Sequence, residues 1–256
     1  TIINQEYHDW ELILIDDGST DGSAQIIDYY AKIYSNIVAV HQKNHGVSFT
    51  RNKGIDISSG EWIWFIDADD IPDREFLYKI DRMYLLDDYE LIIGQYKTHD
   101  LHTGEEKKII VEFEGNSGSR ELADLFINYQ YNNGYFGYLW NKLVRKRVID
   151  EYSIRFNNQL KLAEDLDFLV SVYSHSKKIY FTNSNAMTYM LNTINCSSLD
   201  NVDYYQQLQI QMKINEWICD KNKMIKYQDF MNGKISYYAA FDIYYAFVDG
   251  NDYCSK

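Results

Sequence analysis

The feature that most constrains this chain is a repeated change of period along residues 1–95. Glu11–Asp16 is an apolar run bounded by acids, which reads as a buried strand. Ala24–Tyr34 then carries Ile26, Ile27, Tyr30, Ile33 and Tyr34 at helical spacing. Ile37–Val40 predicts a second strand. Val47–Ser58 predicts a helix stopped by Gly60, a residue that tolerates a left-handed cap. Trp62–Ile66 is uniformly apolar and predicts a third strand covered on both faces. Arg74–Leu86 predicts a helix behind Pro72, and Glu90–Ile93 a fourth strand. Strands and helices alternating through short connections build βαβ units. The expected fold is therefore α/β, a mostly parallel, Rossmann-like sheet flanked by helices.

The pattern changes after residue 95. Tyr96–Thr98 and Lys108–Phe113 flank a polar stretch and predict a hairpin. Glu121–Tyr129 is helical in period, and residues 130–137 read as an irregular polar and aromatic loop. Leu162, Leu166, Leu169, Val170 and Tyr173 share one helical face. Lys178–Phe181 and Met187–Leu191 predict short strands, and two Tyr-rich helices follow Val202. The expected organisation is a half over residues 1–95, a second half over 96–200 sharing its sheet, and a helical extension over 201–256.

Apolar residues make up 46% of the 256, enough to build a core and to exclude disorder as the main state. The net charge of −13 argues against a broad nucleic-acid footprint, which needs a basic surface. Cys196, Cys219 and Cys254 are too few and too widely spaced for a disulfide framework or a structural zinc site. No run approaches the ~20 apolar residues that cross a bilayer, and no signal peptide opens the chain. The expectation is a soluble, cytoplasmic protein, with peripheral association at the inner face of a membrane left open.

Ligands of open parallel sheets bind beyond the carboxyl ends of the strands. Three acidic clusters fall there. Asp16-Asp17-Gly18-Ser19-Thr20 follows the first strand, where Gly18 and Ser19 suit a turn and a helix cap. Capping leaves the two adjacent aspartates unexplained, and one of them can accept a hydrogen bond from a base or ribose hydroxyl. Asp67-Ala68-Asp69-Asp70 follows the third apolar run. Carboxylates at this spacing offer hard oxygen ligands to Mg²⁺ or Mn²⁺, although acids ahead of a helix are also good caps. Glu164-Asp165 opens a helix, where acids oppose the helix dipole or act as a base.

Together these stretches resemble the inverting family 2 nucleotide-sugar glycosyltransferases of the GT-A fold. The resemblance is carried by Ile2–Tyr7, Trp10–Ser23, Asn44–Ser48, Arg51–Gly54, Gly60–Asp70, Trp140–Arg145 and Glu164-Asp165. It is dense over residues 1–94, sparse over 135–190 and absent after about 200. It implies a UDP-sugar donor, a saccharide, lipid-linked or protein-linked acceptor, Mn²⁺ or Mg²⁺ as cofactor, and single displacement of a hexose with inversion. Carried over by position, Asp16, Asp17 and Ser19 meet the nucleoside, Arg51 and Asn52 lie on the nucleotide side, with Arg51 either ordering the acidic cluster or facing the donor, and Asp67 contacts ribose or sugar. Asp69 holds the metal, Asp165 is the general base with Glu164 supporting it, and Lys142 matches a recurrent lysine on the donor side.

The chain also departs from the family. It opens after the family's first strand, which forms a wall of the nucleotide pocket. Met187–Asn192 lacks the basic residue that relatives often carry there. An inactive glycosyltransferase-like binding or assembly fragment is the alternative expectation. A metal-dependent nucleotidyltransferase or phosphohydrolase is weaker, because no Gly- or Lys-rich phosphate loop is visible.

Overall fold

The computed structural model describes residues 1–84, 88–191, 203–221 and 224–248. Cys196, Cys254 and the last two residues of the helix expected over Arg74–Leu86 lie outside them. The chain begins with β1 (Leu12–Asp17), α1 (Ser23–Ile33), β2 (Ile37–Gln42) and α2 (Val47–Ile57). β1 and β2 pair in parallel from Leu12↔Ile37 to Asp17↔Gln42, so both strands deliver their last residues to one edge. There follow β3 (Trp62–Ile63), β4 (Ile71–Pro72), α3 (Phe76–Tyr84), β5 (Leu91–Asp100), β6 (Glu106–Ile109), β7 (Gly115–Ser117) and α4 (Ser119–Asn133). The remainder is β8 (Lys142–Arg145), α5 (Lys146–Glu151), α6 (Glu164–His175), β9 (Ile179–Leu191), α7 (Tyr204–Asn215) and α8 (Gln228–Val248).

The second sheet runs β3-β8-β5-β9-β4, with β6 added to β5 and β7 to β9. The α/β expectation holds. The two longest ladders, β1–β2 and β5–β9, are parallel. Short strands pair antiparallel around them, and β5–β6 is the expected hairpin. The core lies against this sheet. β5 buries Leu91–Tyr96, β8 is buried throughout, and α6 adds Phe168, Leu169, Val170, Val172 and Tyr173. None of the described helices is long and apolar enough to cross a membrane.

Four boundaries differ from expectation. The third strand shrinks to Trp62–Ile63, and Trp64, Phe65 and Ile66 are half-buried without a ladder. Among the described residues β1 is laddered by β2 alone, and a cavity of about 620 Å³ separates Leu12–Ile15 from Trp62–Asp67. With no neighbour on that side, the apolar segment has nothing to extend its pairing. α2 ends at Ser58 in an extended conformation, and Gly60 takes no left-handed cap. α4 runs on to Asn133, where Gly134 at φ 72° closes it, so the irregular segment starts there rather than at residue 130. The two short strands expected after residue 178 are one, β9, whose polar middle Asn183-Ser184-Asn185 spans a register shift against β5.

Candidate active site

The expected site residues come from five places in the chain. Asp16 and Asp17 end β1. Asp16 Oδ1 accepts from the Ser19 amide at 2.9 Å, and Oδ2 faces His41 Nδ1 at 3.2 Å. Hydrogen bonds from Ser19 and His41 hold its carboxyl below the usual range. Asp17 Oδ1 accepts from Gln42 Nε2 at 2.8 Å and the His45 amide at 2.9 Å, and Oδ2 from the Gly46 amide at 2.8 Å. Burial works against its charge, but these bonds outweigh it and lower its pKa. The carboxylate thus ties β1 to the Asn44–Gly46 turn. Gly18 sits beside that turn at φ 82°, where an added Cβ would lie 2.8 Å from the Asn44 nitrogen, so only glycine fits.

Arg51 on α2 brings the other two clusters together. Its Nη1 donates to Glu164 Oε1 at 3.1 Å and to Asp165 Oδ1, while Nη2 donates to Asp67 Oδ1 at 3.1 Å. Residues more than a hundred positions apart therefore meet on one guanidinium, whose planar fork suits several carboxylates at once. The guanidinium lies 5.5 Å from the Phe156 ring, which stacks on Phe168 at 4.1 Å. Asn52, the next residue, donates to the Phe156 carbonyl and accepts from the Phe156 amide, both at 2.8 Å. Both Arg51 and Asn52 stitch α2 to the segment leading into α6.

Glu164 and Asp165 open α6 behind Ala163, which caps the helix at φ 62°. A non-glycine residue in that region costs about 1–2 kcal/mol, a local strain that sets the direction of the first turn. Burial pushes the Asp165 carboxyl up to about 7. Arg51 opposes the rise, and the charges of Glu164 and Asp67 add to it. Lys213 on α7 donates to the Asp167 carbonyl at 2.7 Å and to its carboxylate at 2.6 Å, which pins the same turn from the C-terminal side.

Asp69 is exposed on its loop, and no salt bridge ties it among the described residues. No group of three or more His, Cys, Asp or Glu among the described residues is placed to hold a metal ion. Mg²⁺ and Mn²⁺ commonly take only one or two protein carboxylates and fill the rest of their shell with phosphate and water. A solvent-facing carboxylate one residue from Asp70 and two from Asp67 fits that donor set.

Asp70 is buried. Its Oδ1 accepts from the Met190 amide at 3.1 Å, and its Oδ2 has no partner among the described residues. Burial raises its carboxyl to about 6. Lys142 is fully buried, and its ammonium donates to the carbonyls of Tyr135 (3.1 Å) and Tyr138 (2.5 Å) and to Asn141 Oδ1 (2.6 Å). Its three protons are thus spent on the loop between α4 and β8. Burial lowers its pKa. The roles of Asp70 and of Lys213 were not drawn from the sequence. Asp70 carries a visible signal, as the last acid of its cluster, whereas nothing in the sequence joins Lys213 to α6.

Comparison with known proteins fits this geometry. Residues 1–153 match the model of glycosyl transferase family 2, and the chain belongs to that family. It is 31% identical over 188 residues to the cholesterol galactosyltransferase of Borreliella burgdorferi, covering 71% of this chain and 52% of that protein. It is 30% identical over 182 residues to the Staphylococcus aureus poly(ribitol-phosphate) beta-N-acetylglucosaminyltransferase TarP, covering 69% of this chain and 52% of that one. The chain thus spans about half the length of these curated relatives. Residues 1–349 of S. aureus TarS superpose on the whole chain with a TM-score of 0.69 at 17% identity, covering 68% of that structure. Its complex with UDP-GlcNAc superposes on 93% of the chain, and 65% of that structure, with a TM-score of 0.70 at 17% identity. These two likenesses show the shared GT-A architecture.

Proposed function

We propose that the chain transfers a hexose from a UDP-sugar to an acceptor hydroxyl on a saccharide, a lipid-linked saccharide or a protein-linked one. One observation carries the reading. Arg51 joins Asp67, beyond the strand that begins at Trp62, to the Glu164-Asp165 pair at the head of α6, with exposed Asp69 on the same loop as Asp67. The capture of UDP-GlcNAc by the related TarS fold supports the donor class.

Asp16, Asp17 and Ser19 would meet the nucleoside, using the lone pairs left after the turn bonds. Asp67 would accept from a ribose or sugar hydroxyl. Arg51 and Asn52 would keep the nucleotide side registered against α6, and Lys142 would act through the loop it holds. Asp69 would hold Mn²⁺ or Mg²⁺, which neutralises diphosphate charge when bound. Asp165, assisted by Glu164, would take the acceptor's hydroxyl proton. The acceptor oxygen then bonds to the anomeric carbon as the bond to the diphosphate oxygen breaks. This single displacement inverts the centre and releases UDP. A carboxyl near 7 is well matched to proton uptake at neutral pH. The inner face of a membrane would be the place to meet a lipid-linked acceptor.

A second reading, an inactive binding or assembly module, is favoured by the half-exposed β1 and the cavity beside it. Calorimetric titration with UDP separates the two. Binding that needs Mn²⁺ and is lost in Asp69→Ala supports the donor site. No binding by the chain moves the weight to the module.

A further inference from the structure

We propose that Tyr138 and Tyr189 form a subsite for the pyranose ring of the acceptor, beside the Asp67–Asp70 loop. The assignment of an acceptor, as distinct from any sugar, rests on the transfer reading above.

The two tyrosines come from distant segments and meet over a buried tryptophan. The Tyr138 and Trp140 rings stack at 4.8 Å with an interplanar angle of 19°, and Trp140 and Tyr189 stack at 5.4 Å and 26°. Tyr138 and Tyr189 lie 5.8 Å apart. Trp140 is only 3% exposed, whereas both tyrosines are half-buried and keep part of their surface for solvent. Tyr96 meets the Trp140 ring edge-on at 4.6 Å, and Trp64 Nε1 donates to the Trp140 carbonyl at 2.6 Å. Lys142 holds the Tyr138 carbonyl. The rings are therefore fixed from behind, and a ligand meets them with little ordering left to do.

Their neighbours are the carboxylates. Tyr189 stands next to Met190, whose amide donates to Asp70, and Thr188 pairs with Ile71. Burial and the neighbouring Tyr138 raise the Tyr189 hydroxyl's pKa most, and the charges of Asp70, Asp69 and Asp67 add to it. β9, which carries Tyr189, lies three places from β3 in the sheet, while β1 with Asp17 lies beyond β3 across the cavity. The aromatic shelf thus adjoins the Asp70 end of the Asp67–Asp70 loop, whereas Asp17 ends β1 in the other sheet. A tyrosine ring covers the apolar C–H face of a sugar, and its hydroxyl meets the polar rim. Carboxylates alongside accept from the sugar hydroxyls.

The test uses methyl β-glucopyranoside and N-acetylglucosamine, followed by saturation-transfer NMR and titration. The chain is compared with the Tyr138→Leu/Tyr189→Leu and Tyr138→Phe/Tyr189→Phe pairs, with thermal unfolding as the folding control and the single Leu variants if the pair unfolds. The expected result is saturation concentrated on one face of the sugar ring, an affinity about tenfold lower in the Leu pair, and a Phe pair within about threefold of the parent. UDP affinity stays unchanged in both pairs. No saturation in the parent chain, or undiminished binding in the Leu variants, overturns the subsite. Displacement of the pyranoside by a UDP-hexose but not by UDP overturns the acceptor assignment, because the shelf then holds the donor's sugar. Loss of UDP binding by the parent chain, with pyranoside binding intact, counts against the nucleotide-sugar reading and leaves the shelf standing.

Discussion

Residues 12–57 and residues 88–191 are built from similar apolar runs, yet they are packed very differently. Leu12-Ile-Leu-Ile15 in β1 is half-buried along its length, whereas Leu91-Ile-Ile93 in β5 is fully buried. α1 buries no residue and leaves Ile26, Tyr29 and Ile33 more than half exposed, while α6 buries five of its side chains. Among the described residues β5 is flanked by β8 and β9, and β1 by β2 alone. An apolar pattern makes a strand, but its neighbours decide how much that strand contributes. The first region is instead held by polar ties. Arg51 reaches Asp165 and Glu164, Asn52 clamps Phe156, and Glu11 accepts from the amides of Ser59 and Gly60 at 2.6 and 2.7 Å. With few buried apolar contacts, it is the part of the molecule expected to open first. The proposed base, Asp165, therefore stands on the rigid region, and the proposed nucleoside side on the softer one.

Removing the base has the largest expected effect. Asp165→Asn should lower turnover by about 10²–10⁴-fold, while UDP affinity, which depends on the other region, stays within about threefold. Steady-state kinetics beside calorimetry checks both halves of that statement. The packing contrast is sharpened by a matched pair of truncations followed in denaturant. Ile92→Ala should cost about 2–5 kcal/mol by leaving a cavity, and Ile13→Ala about 1 kcal/mol or less, because its side chain is half-buried already. Equal costs would break the comparison.

Arg51→Met cuts the tie between the regions and leaves three carboxylates without their cation. A loss of about 2–3 kcal/mol is expected. The cation opposes the rise at Asp165, so its removal should also move the titration of the base to higher pH. Asp70→Asn is the smallest change. Its carboxyl titrates near 6 in the fold and near 4 in the open chain, so the wild-type carboxylate weakens the fold as pH climbs through that window. The variant should gain about 1–1.5 kcal/mol more at pH 8 than at pH 5, read from unfolding at the two pH values.

Much of the first region was legible in the sequence. The spacing of Ile26, Ile27, Tyr30 and Ile33 predicts α1 within a residue or so, and the acids after the first apolar run mark Asp16 and Asp17 as the last residues of β1. Glu164-Asp165 is legible for a different reason, as acids that open the helix marked by Leu166, Leu169, Val170 and Tyr173. The meeting of Asp67, Glu164 and Asp165 on Arg51 joins positions up to 114 residues apart, which no local pattern encodes; only the family resemblance offered Arg51 as the residue that orders the acidic cluster. Trp62–Ile66 misleads because its apolar run says nothing about the empty side of β1. β9 misleads in the other direction. Asn183–Asn185 reads as a break, yet the strand continues through it, with Asn183 taking Gln95 and Glu114 as side-chain partners.

The most direct measurement is UDP release from a panel of UDP-hexoses with water as the acceptor, with and without Mn²⁺, from pH 5.5 to 8.5. Release from at least one donor, dependent on the cation and rising with pH through about 7 as Asp165 loses its proton, is the expected result. Release that is flat across this range and unchanged in Asp165→Asn would contradict the assignment of the base, and no release from any donor would contradict transferase activity in this chain.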